Sequence, residues 1–255
     1  SEMDGWIRNV AGPIDDPIHP GIVLPGATQG DSAPKGYNYG GRLTFLWTPS
    51  DDFEANLKLN FDRQSLNGNT AFFEKFCTGG ITVPTYLGIP EVGADCERNR
   101  RVSDTANAPE FSVNFPFGNG GEPYADSDLF LAALTLNKEF EGFSLTSTTG
   151  YYDKTHTGTG TSFGPYGEVY SSDDTGYELV TQELRLNTDS PGPVNFMGGL
   201  YFEHASRRWF NAADILHLGI DPETNSYVVS ITEAETTFDA YSVFAQIRWD
   251  ITPSL

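Results

Sequence analysis

The sequence predicts an all-β fold, an antiparallel up-and-down β-barrel wall of about eight strands. Three observations predict it. The hairpin over 177–209 carries Gln182-Glu183-Leu184-Arg185-Leu186-Asn187 into an Asp189-Ser190-Pro191-Gly192-Pro193 corner and returns as Phe196-Met197-Gly198-Gly199-Leu200-Tyr201-Phe202-Glu203. Along both arms apolar residues alternate with polar ones, and the same long-armed, tight-cornered unit recurs along the chain. The third observation is compositional: aromatics are 13% of the 255 residues, with 27 Gly, 12 Tyr and 18 Phe, a β-rich profile.

The first strand, 1–9, carries Trp6 and Ile7 and runs into a loop at 11–36 rich in Pro, Gly and Asp. The second, 37–48, sets Tyr37, Tyr39, Leu43, Phe45 and Trp47 against Asn38, Arg42 and Thr44, and Pro49-Ser50-Asp51-Asp52 turns it. In the third, 53–67, Phe53, Ala55, Leu57, Leu59 and Phe61 alternate strictly with Glu54, Asn56, Lys58, Asn60 and Asp62. Five charged or amide side chains in a row need water on that flank. A long segment, 68–127, holds both cysteines and a candidate short strand at 111–117. Strand four, 128–140, and strand five, 143–156, form the next hairpin through Glu141-Gly142, and a loop at 157–175 leads to the hairpin of strands six and seven. A loop at 211–234, with a helical turn expected near 212–218, precedes strand eight, 236–251, where Tyr241, Val243, Ala245, Ile247 and Trp249 oppose Ser242, Gln246, Arg248 and Asp250.

The connections segregate. Those after even-numbered strands are a few residues, while those after odd-numbered strands run from 19 residues (157–175) to 60 (68–127). In a meander, alternate connections lie at opposite ends, so one end is smooth and the other bulky. Transmembrane barrels have that asymmetry, with short periplasmic turns and long extracellular loops. Aromatics near strand ends, among them Tyr37, Trp47, Tyr151, Trp209, Tyr241 and Trp249, fit two interfacial girdles.

A net charge of −20 makes nucleic acid a poor partner. Arg98-Asn99-Arg100-Arg101 and Arg207-Arg208 read first as solvated rim charge. No run of 18 apolar residues exists, so no transmembrane helix is expected. The chain opens on Ser1-Glu2-Met3 without a secretory signal and ends on a strand entering a turn, which suggests an internal fragment of a longer protein. Cys77 and Cys96 share one irregular segment, so a loop disulfide in an oxidising compartment is expected, with two free thiols as the rival.

Leu134-Thr135-Leu136, then Gly142-Phe143-Ser144-Leu145-Thr146-Ser147-Thr148-Thr149-Gly150-Tyr151, Thr181-Gln182-Glu183-Leu184-Arg185-Leu186, and Gly198-Gly199-Leu200-Tyr201-Phe202 resemble successive barrel strands of TonB-dependent outer-membrane receptors. Tyr241-Ser242-Val243-Phe244-Ala245-Gln246 with Trp249-Asp250-Ile251-Thr252-Pro253 is similar to a further strand and turn. The resemblance runs from Gly5 to Leu255 with its motifs in matching order. It implies a 22-stranded barrel in the Gram-negative outer membrane, closed by an N-terminal plug. It also implies import of a scarce nutrient, such as a ferric siderophore, cobalamin or a saccharide, driven by the TonB complex. The chain departs from the whole pattern: it has no plug and no TonB box, and eight strands are about a third of such a barrel. Residues 1–255 then form one partial barrel domain, partnered by outer-membrane lipid, a small-molecule nutrient and, through the missing plug, TonB.

No catalytic, cofactor or metal constellation emerges, and no enzyme is expected. His19, His156, His204 and His217 lack metal-ligand spacing, and Gly158-Thr159-Gly160 lacks the glycine spacing of a phosphate loop. By the resemblance, ligand would be captured by aromatic and basic residues of the long loops and lumen rim: Phe72, Phe73, Phe76, Tyr86, Phe163, Tyr166, Arg207, Arg208, Trp209 and Phe210. Two rival readings remain. A small closed eight-stranded barrel, an adhesin or structural protein, requires the first and eighth strands to pair. A soluble carbohydrate-binding β-sandwich requires short strands and long loops at both ends.

Overall fold

A computed structural model describes residues 1–26, 33–68, 72, 74–86, 88–113, 115–162, 169–215, 219–223, 225 and 227–251. Its main body is one antiparallel sheet whose eight strands pair strictly in chain order. They are β1 (Glu2–Met3), β2 (Lys35–Ser50), β3 (Phe53–Asn67), β4 (Tyr124–Phe140), β5 (Phe143–Ser162), β6 (Val169–Thr188), β7 (Val194–Ile215) and β8 (Val228–Trp249). The strand ends joined by the short connections 51–52, 141–142 and 189–193 all lie at one end of the sheet, and the strand ends that border 4–34, 68–123, 163–168 and 216–227 all lie at the other. Among the described residues β8 pairs only with β7, so the sheet is open and β1 does not close it. No second large sheet faces it among the described residues, which removes the sandwich.

Local chemistry accounts for the turns. Gly142 takes a φ of 81°, a conformation that favours glycine, and the two-residue corner brings the Phe140 and Phe143 rings into a stack at 4.6 Å. At the 51–52 corner the Ser50 hydroxyl donates to Asp52 at 2.5 Å and Lys138 reaches the same carboxylate. In the wide corner before β7, Asn195 Oδ1 accepts from the Ser190 backbone at 2.8 Å.

Four expectations are corrected. The first strand does not run to residue 9, because Gly5 sits against the Ala33 backbone so closely that any Cβ would lie 2.2 Å from it. There the chain leaves the sheet, and Arg8–Asn9 pairs instead, in parallel, with Arg101–Val102. The loop at 157–175 is mostly strand, since β5 runs to Ser162 and β6 starts at Val169. Cross-strand bonds from Thr157 to Asp174 (3.4 Å) and from Asn211 to Asp173 (2.6 Å) satisfy these loop-like polar residues inside the ladder. Likewise, the turn expected near 212–218 is strand as far as Ile215, and residues 216–218 lie outside the described residues. The short strand at 111–117 is instead a single helical turn, α1 (Pro109–Ser112), with proline at its start.

Register resolves the two flanks. On β3, β7 and β8 one flank carries apolar runs of nine residues each, 53–61, 194–202 and 241–249, and on β5 the same flank over 143–151 is apolar but for Ser147 and Thr149. Such a length is what a tilted strand needs to cross a bilayer core. On the outer strands the side chains of this flank find little cover, Val243 being 81% exposed, Tyr241 78% and Leu43 61%, while on β5 strand neighbours leave the apolar ones half-buried. Three polar side chains inside the band bond to one another, Thr149 to Gln182 at 2.6 Å and Gln182 to Ser147 at 3.0 Å. The band runs obliquely. The row of paired residues that starts at Phe61 and Phe130 reaches Asp153 on β5 and Glu178 on β6. On β7 and β8 the last apolar pair is Phe202 with Tyr241, two rows nearer the short turns. A level layer crossing tilted strands produces that offset, and tilt is what barrel closure demands.

The buried core lies elsewhere. Leu24, Ala108 and Phe111, with Ile14, Ile22, Ile89 and Tyr227, form one cluster made wholly from the long connections. A second cluster seats Phe115 against Tyr170 and Ala212 on the far ends of β6 and β7. The bulky end is therefore a packed unit, and three separate connections share its core.

Candidate functional site

The polar flank of the sheet and the connection unit above it are the places where a ligand could be met. In the unit, Asn9 clamps the Asp104 backbone in both directions, donating to its carbonyl at 2.8 Å and accepting from its N–H at 3.1 Å. Asp16 accepts from the Ile18 and His19 backbones at 2.7 and 3.2 Å and meets His19 Nδ1 at 2.8 Å. The His19 ring packs edge-on against Phe111 and Tyr227, so it is a structural histidine of the cluster. Cys77 and Cys96 are joined by a disulfide with Cα atoms 5.3 Å apart. The bond ties both ends of the segment that contributes Glu91, whose buried carboxylate is met by Lys75.

Asp104 lies beside that pair. Burial pushes its carboxyl up to about 6, the Lys75 ammonium opposes the shift and the Glu91 carboxylate reinforces it. An acid whose folded-state pKa is raised binds its proton more tightly when folded. The connection unit is therefore expected to be firmest below about pH 4 and to loosen as pH rises through about 6. Amide hydrogen exchange at Val102 and Ser103 between pH 4 and 8, corrected for intrinsic rate, should show falling protection, and Asp104→Asn should flatten the profile.

The predicted ligand residues do not converge as one group. Phe73, Phe163 and Tyr166 lie outside the described residues, and Tyr86 is placed by its backbone alone in a two-residue ladder with Ile89. Phe72 is half-buried, and Phe76 is exposed beside Cys77. Arg207, Arg208, Trp209 and Phe210 are not loop residues: they sit mid-strand in β7, so alternation splits them. Arg208 and Phe210 share the flank of the apolar band, beyond its edge. There Arg208 pairs with Asp174 at 3.1 Å and Phe210 packs on the Phe115 cluster and near Phe117. Arg207 and Trp209 share the polar flank.

On that flank the register adds residues that sequence reasoning missed. Tyr177 lies directly between Lys154 on β5 and Arg207 on β7. The Tyr152 ring meets Tyr177 edge-on at 5.8 Å, and the next row holds His156, Thr175 and Trp209. Alternation alone separates Arg207 from Arg208, but only the pairing of β5, β6 and β7 reveals the row.

No protein-family model matches the chain, and no curated protein sequence does. Solved structures are similar, two of them as follows. The RagAB peptide transporter superposes with a TM-score of 0.44 at 11% identity, over 90% of this chain and 28% of that one, too loosely to bear on the fold. The ferric yersiniabactin uptake receptor FyuA from Yersinia pestis superposes with a TM-score of 0.62 at 14% identity, over 98% of this chain and 30% of that chain. The chain thus shares the fold of a stretch of that receptor's barrel wall, and it spans 30% of that receptor's length.

Proposed function

We propose that this chain is part of the β-barrel of a Gram-negative outer-membrane receptor. In this reading the receptor imports a scarce small-molecule nutrient and draws its energy from the TonB complex through a plug carried elsewhere in the protein. The apolar band meets lipid, the short turns face the periplasm, the connection unit faces the outside and the polar flank lines the lumen. Its work is capture and gated passage, with no covalent chemistry.

The observation that carries the reading is the oblique band of nine-residue apolar runs on one flank only (53–61, 194–202 and 241–249, with 143–151 interrupted by Ser147 and Thr149). Covering such a face with lipid offsets about 25 cal/mol per Å² that it would cost to leave in water. Beyond the band the same flank turns charged, with Arg63 near Asp128 at 3.7 Å and His204 on Asp239 at 2.8 Å, as a headgroup level would favour.

Nitroxide labels at Val243→Cys and Ser242→Cys in the full-length protein, reconstituted in vesicles, test it. The label at 243 should be relaxed by oxygen dissolved in the lipid, and the label at 242 by a water-soluble nickel chelate. Equal access of the chelate to both positions would end the membrane assignment.

A further inference from the structure

The chain carries 35 acidic residues against 15 Lys and Arg, so a cation without a carboxylate is conspicuous. Arg63, Lys75, Lys138, Arg185, Arg208 and Arg248 each have one within 4 Å. Lys154 and Arg207 are exposed and flanked only by neutral side chains, as are Arg42 and Lys58 on the same flank, but they alone of these four stand on either side of one aromatic residue, Tyr177. Lys154 has Leu129 and Tyr177 across, and Tyr152 and His156 along its strand. Arg207 has Tyr177 and Thr236 across, and Ala205 and Trp209 along. The neighbouring carboxylates of the same flank are engaged, Asp62 with Asn38 at 2.9 Å, Asp173 with Asn211 at 2.6 Å and Glu203 with the Tyr201 hydroxyl at 2.5 Å.

The row thus reads cation, aromatic, cation. Two interstrand spacings put the Lys154 and Arg207 backbones about 10 Å apart, a gap their long side chains can narrow from both sides. Between them the Tyr177 ring, steadied edge-on by Tyr152, offers an apolar face, with the Trp209 indole one row beyond. Arginine grips a carboxylate with two parallel hydrogen bonds, and lysine adds a point charge. A flat ring is the natural filling for the space over tyrosine.

We propose that the polar flank binds an organic dianion, its flat unsaturated body lying on Tyr177 and its two acid groups held by Lys154 and Arg207. This rests on the reading of that flank as a receptor lumen and names the chemical class of the cargo. At such a site two cations set among neutral side chains attract the ligand against the repelling background of an acidic chain.

The test uses the full-length protein in detergent micelles with naphthalene-2,6-dicarboxylate as probe, followed by calorimetry and Trp fluorescence. The dianion should bind, 2-naphthoate more weakly, and the uncharged dimethyl ester not at all. Lys154→Gln and Arg207→Gln should each weaken the dianion about tenfold, and added salt should weaken it further. Arg208→Gln, one residue away on the other flank, should leave binding unchanged, with far-UV circular dichroism confirming that all three variants fold. Ester binding equal to the dianion, wild-type affinity in both glutamine variants, or no binding of the dianion would overturn the proposal. If the dianion fails while the label at position 243 lies in lipid, the cargo inference falls and the receptor reading stands.

Discussion

Phe111→Ala is expected to cost the connection unit about 3–5 kcal/mol, the range for emptying a buried aromatic site. Phe111 is 1% exposed and lies among Leu24, Ala108 and the ring of Tyr227, whose centroid is 4.5 Å away. Those neighbours come from three different connections, so none of them can close the void without dragging its own backbone. α1 cannot hold itself, because a single turn of four residues has almost no helical stability of its own. The loss should be local. Hydrogen exchange at Leu24, Val102 and Phe111 should accelerate by several hundredfold, while amides near the short turns, such as Leu184 and Leu200, keep their protection. Equal loss at both ends would mean that sheet and connections form one cooperative unit, contrary to their separate cores.

Ala245→Arg is expected to destabilise the membrane-inserted protein by about 2–4 kcal/mol, the cost of arginine at mid-bilayer on a barrel's lipid face. Position 245 is the middle of the run 241–249, where an arginine must reach furthest to find water. Gln246→Arg, the adjacent residue on the polar flank opposite Met197, should change stability by less than about 0.5 kcal/mol. Denaturant-induced unfolding from lipid vesicles measures both. Because the substitutions are neighbours in sequence and identical in chemistry, only the flank distinguishes them. Similar costs at 245 and 246 would contradict a lipid-facing band.

Much of the sheet was legible in sequence because a strand's pattern is local. Phe53 to Asp62 alternate without exception, so their flanks could be assigned from the residues alone. Gly142 and the 189–193 corner announce their turns by residue type. The far ends of β5, β6 and β7 were not legible. Gly158, Gly160, Asp173 and Asp174 have loop chemistry, and only the backbone pairing of β6 with β5 and β7 makes them strand, with side-chain bonds from Thr157 and Asn211 across it. Gly199 reads as a weak point in its strand, yet the Phe244 ring fills the space where its side chain would stand, 2.4 Å from a hypothetical Cβ. The same limit governed the site. Arg207, Arg208, Trp209 and Phe210 were visible as a cluster, but Lys154 and Tyr177 lie far from them in the chain.

By itself, the sequence determined that the chain is β, where its hairpins turn, and that each strand has one apolar flank. Side chains on a strand alternate with a period of two whatever the strand's neighbours do. Only the tertiary structure decided the register, and with it the slant of the apolar band and the meeting of Lys154, Tyr177 and Arg207. It also decided that the long connections bury a common core around Phe111. These outcomes depend on which distant segments pair and pack, and no local pattern of residues encodes that choice.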